Sequence, residues 1–341
     1  MRDLTNYNLL GNNTFNIDVS CRRFVEIESP DEAKHFFSSL TDADRPLLII
    51  GGGSNLLFTK DYDHTIVRSQ IKGIDCVSES ANDVLLRCGS GEQWDDVVNF
   101  CVKHGYYGAE NLSLIPGDVG ASAVQNIGAY GAEVKNLIAK IEAVDTTTGK
   151  EIEISSSECQ YGYRMSRFKT DWRGRYFITH VTYRLQKTFK PNIDYGRIRE
   201  QLAAKGIAEP NAADVREAVI NIRMAMLPDT KVLGNAGSFF VNPVVSQDQF
   251  KALQDKYPSI PYYIIDEGDN SQVKIPAGWL IEQCGWKGRT LGNVGVHERQ
   301  ALVLVNRGGA HGNEIVELCQ MICNDVNKKF GIEIKPEVNI I

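Results

Sequence analysis

The alternation of hydrophobic and polar positions predicts a first half that is rich in strands. The apolar run Leu47–Ile50 predicts a buried strand, and apolar residues at helical spacing predict a helix over residues 92–104. Further strands are predicted for residues 83–88, for the two arms of a β-hairpin over residues 138–154, and for Phe177–Tyr183.

The second half of the chain is predicted to alternate helices with strands. Ala213–Leu227 carries apolar residues on one helical face, and Pro228 follows it and ends the helix. Similar patterns predict helices near 247–256, 277–284 and 313–330 and strands near 262–266, 301–305 and 332–341. We therefore expect an α+β protein with a cofactor-binding portion up to about residue 215 and a smaller αβ portion after it.

The overall composition narrows the classes of function. The chain has 341 residues, 43% of them hydrophobic, and a formal net charge of −6. This mild acidity argues against nucleic acid or an anionic membrane as the main partner. No stretch reaches the roughly 18–20 apolar residues of a membrane span, and the N-terminus lacks the apolar core of a signal peptide. Eight scattered cysteines without a Cys-x-x-Cys pair fit a reducing compartment, so we expect a cytoplasmic protein.

Two glycine-rich segments are the strongest chemical signal. Gly51–Asn55 follows the predicted buried strand, and residues 115–134 contain four glycines and little side chain with which to build a core. Glycine lets the main chain approach a ligand closely, and successive backbone N–H groups form anion-binding concavities. Together the two segments predict a large cofactor with a pyrophosphate, although either one alone could be a tight surface turn. Neither matches the Rossmann or P-loop pattern.

Three polar side chains in separate motifs are candidates for chemistry. Ser238 lies among small residues before two phenylalanines, and could donate a proton or merely cap a turn. Arg164 lies in a basic, aromatic stretch, which suits an anionic ligand or a solvated loop. Glu337 lies in a nearly apolar segment, where a carboxylate must be paired or neutral unless it faces outward. We expect no metal site, because no His or carboxylate cluster has ligand spacing.

The motifs together resemble the UDP-N-acetylenolpyruvoylglucosamine reductase (MurB) family of peptidoglycan synthesis. The resemblance covers nearly the whole chain, and the insert around Tyr195 and the length resemble the type I branch. The motifs that carry it, in chain order, are Gly51–Asn55, Ile115–Gly131, Tyr161–Lys169, Gly234–Pro243 and Pro336–Val338.

The resemblance implies a fold, a domain division and a reaction. The fold is the vanillyl-alcohol-oxidase/PCMH-type FAD-binding fold with a C-terminal αβ substrate-binding domain. The implied domains are residues 1–67, residues 68–215 with 325–341, and residues 216–324. NADPH reduces FAD, and the flavin passes a hydride to the vinyl carbon of UDP-N-acetylglucosamine enolpyruvate, while a proton is added at the carbon bearing the carboxylate. The product is UDP-N-acetylmuramate, and we expect a monomer.

The resemblance also implies roles for individual residues. Ser238 matches the proton donor, and Arg164 and Glu337 match the pair that stabilises the enolate. Tyr195, Asn242 and Gln300 match residues near the diphosphate of the sugar nucleotide. The residues implied to bind FAD are Gly51, Gly52, Gly53, Ser54, Asn55, Leu56, Ser113, Pro116, Gly117, Gly120, Ala121, Ser122, Gln125, Asn126, Gly128, Ala129, Tyr130 and Arg223.

The chain departs from the family pattern at two positions. Met226 stands where the family often has a lysine that reaches the diphosphate, so another group must meet that charge, and Lys231 and Arg223 are candidates. Asn339 stands where an arginine often follows the catalytic glutamate. Two other functions are compatible with the fold: a flavin oxidase or dehydrogenase of alcohols, and a binding protein that has lost catalysis.

Overall fold

The computed structural model describes residues 1–266 and 269–341. The α-helices are α1 (Pro30–Ser39), α2 (Trp94–His104), α3 (Val119–Gln125), α4 (Ile198–Ala204), α5 (Ala212–Met226), α6 (Gln247–Lys256), α7 (Ala277–Gln283) and α8 (Gly312–Phe330). The strands are β1 (Arg2–Asn8), β2 (Ser20–Ile27), β3 (Leu47–Ile50), β4 (Leu56–Leu57), β5 (Tyr62–Ser69), β6 (Ile74–Glu79), β7 (Asp83–Gly89), β8 (Gly128–Ala129), β9 (Ala132–Glu133), β10 (Ile138–Asp145), β11 (Glu151–Ser155), β12 (Tyr176–Gln186), β13 (Gly234–Asn235), β14 (Val244–Ser246), β15 (Tyr263–Asp266), β16 (Asp269–Lys274), β17 (Thr290–Leu291), β18 (Val294–Val296), β19 (Leu304–Asn306) and β20 (Asn339–Ile340).

The chain divides into two compact units, each built from separate stretches of sequence. The first unit comprises Met1–Tyr7, Cys21–Gly52 and Asp63–Ala225. The second unit comprises Asn8–Ser20, Gly53–Tyr62 and Met226–Ile341. The three-part domain division implied by the family resemblance stays a prediction.

An antiparallel sheet in the order β11-β10-β12-β7-β6 forms the centre of the first unit. Its middle strand β12 is buried on both faces from Tyr176 to Tyr183. Tyr183 packs into the cluster around Trp94 of α2, whereas Phe177 packs into a second cluster with Phe37 of α1. Because helices cover both faces, β12 is buried along most of its length, including its polar residues Thr179, His180 and Thr182.

A second sheet of the first unit, in the order β1-β2-β5-β3, positions the first glycine loop. Strand β3 runs parallel to β5, with Ile50 opposite Arg68. Gly51 therefore follows a strand, as the apolar run Leu47–Ile50 predicts, but only Ile50 of that strand is buried and Leu47–Ile49 are partly exposed. The hairpin predicted over 138–154 is confirmed as β10 and β11, and the helix predicted over 92–104 as α2.

The second unit contains a sheet in the order β13-β19-β18-β17, a smaller sheet β14-β16-β15, and the parallel pair β20-β4. Helix α8 buries Ile315, Leu318, Ile322 and Val326 on one face, which confirms the predicted apolar stripe. The mixture of strands and helices confirms the predicted α+β class.

Two predicted strands in this unit are wrong in extent. The strand predicted over 332–341 is reduced to β20, with an isolated bridge between Phe240 and Pro336 before it. Proline has no N–H with which to continue a ladder. The strand predicted over 301–305 begins at Leu304, because the Val303 amide donates to the Gln300 carbonyl and closes a turn.

Candidate active site

The loop after β3 presses its glycines against the second glycine-rich segment. A Cβ atom on Gly51 would lie 3.0 Å from the Ala121 Cβ, and one on Gly52 would lie 3.4 Å from the Gly117 Cα and from an Asp118 carboxylate oxygen. A Cβ on Gly51 would therefore crowd Ala121, whereas one on Gly52 would make ordinary van der Waals contact. The two glycine-rich segments, which are far apart in sequence, thus meet at these positions of the first unit.

The same loop is tightly held where it enters the second unit, yet it leaves amides open. Gly53 has φ +68°, and a Cβ there would lie 1.9 Å from the Asn12 carbonyl oxygen. Its own carbonyl accepts from the Thr14 amide at 3.2 Å. Within residues 1–266 and 269–341, no group accepts a hydrogen bond from the amides of Gly52 or Gly53. Consecutive open amides suit the oxygens of a diphosphate.

The segment that begins at Gly117 is fixed by main-chain hydrogen bonds to residues 90–94. The Gly117 carbonyl accepts from the Trp94 amide at 3.0 Å, and the Gly120 amide donates to the Ser90 carbonyl at 2.9 Å. A Cβ on Gly120 would lie 3.0 Å from the Ser90 Cβ. Small residues along α3 therefore let the segment lie close to the sheet.

A tight hairpin formed by β8 and β9 follows α3. Its turn residues Tyr130 and Gly131 both have positive φ, +48° and +78°, as a two-residue turn of this kind requires. The Asn126 side chain donates to the Gly162 carbonyl at 2.8 Å. The Asn111 side chain donates to the Tyr130 carbonyl at 2.8 Å. Asn111 thus holds the turn of the hairpin by its main chain, and Asn126 joins the start of the hairpin to the segment around Gly162.

Two arginines of the first unit lie against these loops. Arg164, itself at φ +55°, donates from Nη2 to the Gly128 carbonyl at 2.6 Å. Arg223 on α5 donates from Nε to the Leu114 carbonyl at 3.2 Å. Burial lowers the pKa of Arg223, the neighbouring Tyr130 opposes this shift, and the charge of Arg164 adds to it. The two cations and Tyr130 therefore share one electrostatic environment.

Tyr195, from the loop before α4, packs against the turn of the β8–β9 hairpin. A Cβ on Gly131 would lie 3.1 Å from the Tyr195 Cβ, and one on Gly196 would lie 3.4 Å from the Tyr130 ring. The Tyr195 side chain is 40% exposed. The sequence placed Tyr195 and Tyr130 in different motifs, and the structure brings the two loops into contact.

In the second unit, a turn presents Ser238 to solvent. The Asn235 side chain accepts from the Gly237 amide at 2.9 Å, and Gly237 has φ +67°. Phe239 and Phe240 are buried immediately afterwards, and the Phe239 amide donates to the Leu302 carbonyl at 2.7 Å. The aromatic pair anchors the turn, while Ser238 itself is exposed.

Glu337 lies beside this turn. Its amide donates to the Phe239 carbonyl at 2.7 Å, so the main chain of Glu337 pairs with the residue that follows Ser238. Its carbonyl accepts from the Asn55 side chain at 3.4 Å, and β20 continues from there along β4. Three motifs that are distant in sequence thus meet within the second unit: the end of the glycine loop, the Ser238 turn and Glu337.

Asn242 and Gln300 both lie near the beginning of α7. The Asn242 side chain accepts from the Ala277 amide at 2.9 Å. The Gln300 side chain accepts from the Leu302 amide at 3.3 Å, and a Cβ on Gly278 would lie 3.2 Å from its Oε1. These two implied substrate contacts therefore lie around the same short helix.

Comparison with known proteins gives a consistent result. Residues 228–341 match the family described as UDP-N-acetylenolpyruvoylglucosamine reductase, C-terminal domain, and residues 21–155 match an FAD binding domain. The chain is 51% identical to the UDP-N-acetylenolpyruvoylglucosamine reductase of Bacteroides fragilis (strain YCH46), over 98% of this chain and 99% of that protein. The chain belongs to the UDP-N-acetylenolpyruvoylglucosamine reductase family. It is also 44% identical to the protein of that name from Burkholderia multivorans, over 98% of this chain and 95% of that one.

The fold of the family is found in the structure as well. The crystal structure of UDP-N-acetylenolpyruvylglucosamine reductase (MurB) from Thermus caldophilus superposes with a TM-score of 0.68 at 19% identity, over 99% of this chain and 98% of that one. The predicted FAD-binding fold and family are confirmed. The reductase has no helix among its described residues that is long and apolar enough to cross a membrane. Nor do those residues contain a cluster of three potential metal ligands.

The structure groups the implied site residues of the reductase into two sets. Arg164, Arg223, Tyr130 and Tyr195 belong to the first unit, and Ser238 and Glu337 belong to the second. Their individual roles, and the convergence of Arg164 with the other two, stay predictions.

Sequence reasoning missed two residues that shape the cofactor loops. The Asn111 side-chain amide donates hydrogen bonds to the Tyr130 and Asn192 carbonyls, both at 2.8 Å. Asp118 is a buried acid against Gly51 and Gly52. Asn111 carries no sequence signal, because its partners are main-chain atoms of other segments. Asp118 lies inside the glycine-rich motif, where an aspartate is a common turn residue and therefore gives no sign of its burial.

Proposed function

We propose that this chain reduces UDP-N-acetylglucosamine enolpyruvate to UDP-N-acetylmuramate, using FAD and NADPH, as a step of peptidoglycan precursor synthesis. The observation that carries the proposal is the arrangement around Glu337. Its main chain pairs with the residue after Ser238 and contacts Asn55 of the glycine loop. The near-complete match to reductases of this name supports it.

The glycine-rich segments fit FAD. Gly51–Leu56 and Ser113–Tyr130 would hold it, because Gly51 packs closely against Ala121 and the Gly52 and Gly53 amides are open to the diphosphate. When bound, FAD supplies the hydride that adds to the terminal vinyl carbon of the substrate. The chain supplies position, charge and a proton.

Arg164 and Glu337 would stabilise the charge that develops during the reaction. Addition of hydride to an enol ether next to a carboxylate builds negative charge on that carboxylate. A fixed guanidinium and a hydrogen-bonding carboxyl group oppose this charge where it appears. Arg164 is already oriented by its hydrogen bond to the Gly128 carbonyl, so little reorganisation is needed.

Ser238 would donate the proton to the carbon that bears the carboxylate. A serine hydroxyl is a weak acid in water, but an enolate carbon is basic enough to accept its proton when the two are correctly placed. The exposed turn held by Asn235 and the two buried phenylalanines leaves Ser238 accessible to a substrate.

The diphosphate of the substrate needs cationic partners in place of the lysine that Met226 replaces. Arg223 already donates to the Leu114 carbonyl and is half-buried. Lys231 is exposed, so we propose that Lys231 meets the phosphate charge. Tyr195, Asn242 and Gln300 would contribute hydrogen bonds. We also propose a cytoplasmic monomer with the three-domain division implied by the resemblance.

Absorption spectroscopy of the purified protein under anaerobic conditions tests the function. A yellow protein that NADPH bleaches and that the enolpyruvyl substrate re-oxidises supports the reductase. Re-oxidation by dioxygen alone, with alcohols as reductants, would indicate a flavin oxidase. A protein that binds no flavin would indicate a binding protein without catalysis.

A further inference from the structure

Asp118 is a buried acid directly behind the first glycine loop. Its side chain is 2% exposed. Its carboxylate oxygens lie 3.5 Å and 3.4 Å from where Cβ atoms on Gly51 and Gly52 would stand. A residue that precedes a helix commonly caps the free amides of the first turn, but the Asp118 side chain makes no such bond to α3. Its burial therefore lacks the usual structural explanation.

The hydrogen bonding of this carboxyl group is incomplete. One oxygen accepts from the Gln93 side chain at 2.7 Å. The other, Oδ2, has no hydrogen-bond partner in the part of the chain that the structure describes, and the Arg68 Nη2 atom lies 3.7 Å from it. A buried carboxylate with an unsatisfied oxygen is costly, whereas a protonated carboxyl group is much less so.

Charged groups around Asp118 leave it only partly compensated. Arg68 on β5 is shared with Glu26 on β2, at 3.9 Å. Lys72, after β5, lies 3.7 Å from Glu92, which precedes α2. Burial raises the pKa of Asp118 to about 6, and Arg68, Lys72 and Gln93 reduce this shift without cancelling it. Near neutral pH the group is therefore close to its titration range.

We propose that Asp118 is a positioning residue of the cofactor site and takes up a proton when the FAD diphosphate binds to the loop in front of it. The proposal rests on the proposed function, because it takes FAD as the ligand of Gly51–Gly53. A diphosphate diester stays doubly negative at neutral pH, and like charges close together disfavour the ionised acid. Protonation removes the repulsion, so the loop stays closely packed against residues 117–121.

The sign of the pH dependence follows from linkage. Binding raises the pKa of Asp118, so affinity for FAD is highest below pH 6, where the group is protonated before and after binding. Affinity falls as the pH rises above 6. We expect the Kd for FAD to be about fivefold higher at pH 8 than at pH 6.

Isothermal titration of the full-length apoprotein with FAD, at pH 6.5 in two buffers of different ionisation enthalpy, counts the protons directly. We expect an uptake of about half a proton per FAD. Riboflavin, which lacks the diphosphate, should bind without proton uptake. Asp118→Asn should bind FAD with no uptake and with a Kd that is constant between pH 6 and pH 8. Asp96→Asn, an exposed acid on α2, serves as the matched control and should behave as the wild type.

The outcomes separate this inference from the function on which it depends. FAD binding without proton uptake by the wild type, uptake that riboflavin also produces, or uptake that persists in Asp118→Asn would overturn the role of Asp118 alone. Failure of the apoprotein to bind FAD would overturn both proposals. The wild-type comparison of FAD with riboflavin decides the question even if the variant does not fold.

Discussion

At the scale of single residues, the first glycine loop is shaped by how little space Gly51 and Gly53 leave around them. Gly51–Gly53 stand out in the sequence because few other roles require three consecutive glycines. A Cβ is excluded at Gly53, where it would lie 1.9 Å from the Asn12 carbonyl oxygen, is crowded at Gly51 and fits at Gly52. Ser238 and Glu337 were recognisable only through their motifs, since their adjacency depends on a main-chain hydrogen bond between residues 239 and 337. Asp118 was missed because burial by a distant loop leaves no mark on local sequence.

Gly53→Ala tests the close approach of the first loop. The new Cβ would collide with the Asn12 carbonyl, and the alanine backbone would also have to adopt a positive φ. Gly174→Ala adds the same φ strain, +72°, with nothing within 4 Å. We expect Gly53→Ala to lower the free energy of unfolding by about 3 kcal/mol more than Gly174→Ala, as measured by denaturant titration. Equal losses would mean that the loop yields easily.

Glu337→Gln tests the charge-stabilising role of that carboxyl group. An amide is a much weaker hydrogen-bonding acid, so we expect slower re-oxidation of the flavin by the enolpyruvyl substrate, with bleaching by NADPH unchanged. Glu333→Gln, an exposed acid in the same terminal segment, is the control. Equal rates for both variants would remove Glu337 from the reaction.

At the scale of elements, periodicity located most helices and central strands but not the loops that make the site. Helices α2, α5 and α8 appear close to their predicted bounds because each buries a wide apolar stripe. The apolar residues of the segment 332–341 predicted a continuous strand, but Pro336 interrupts the strand pairing there. Hydrophobic periodicity also could not predict ion pairs between elements. One such pair, between Asp95 and Arg216, supports the loop that precedes Gly117.

Asp95 on α2 joins α5 to the loop that precedes Gly117. It accepts two hydrogen bonds from Arg216, at 2.7 and 2.9 Å, and one from the Leu114 amide. Burial acts to raise the pKa of Asp95, but Arg216 and the Leu114 amide outweigh it, so the pKa is lowered. A lowered pKa means that the stabilisation is present above pH 4 and is lost as the pH falls through the folded-state pKa.

Asp95→Asn should therefore lower the free energy of unfolding by about 2 kcal/mol at pH 7 and by less at pH 3. Asp96→Asn on the same helical turn, where the side chain is exposed, should cost little at either pH. Chemical denaturation at the two pH values measures both. A loss that is the same at pH 3 would show that the ion pair contributes nothing.

At the scale of the whole molecule, the division into two units could not be read from the sequence. Asn8–Ser20 and Gly53–Tyr62 belong to the second unit although most of their neighbours in sequence belong to the first. Long-range hydrogen bonds fix this, such as that from the Asn235 amide to the Thr14 carbonyl at 2.8 Å. Hydrophobic periodicity reports only local structure, so it could not predict that these two segments belong to the second unit.

All eight cysteines are free thiols, but their accessibility differs. Cys76 is exposed, whereas Cys21, Cys88, Cys101, Cys159 and Cys319 are buried. Burial raises the pKa of Cys101 to about 12, which suppresses its thiolate. We expect one fast-reacting thiol in the native protein with a thiol-specific chromophoric reagent, lost in Cys76→Ser, and eight after denaturation. Fast modification of several thiols in the native state would contradict the described packing.

In the proposed reaction Ser238 takes part only in the half-reaction that reduces the enolpyruvyl substrate. Anaerobic stopped-flow absorbance of Ser238→Ala separates the two half-reactions. We predict that bleaching of the flavin by NADPH proceeds within about twofold of the wild-type rate, while re-oxidation by the enolpyruvyl substrate slows by several orders of magnitude. Wild-type rates in both half-reactions, or equal slowing of both, would show that Ser238 is not the proton donor.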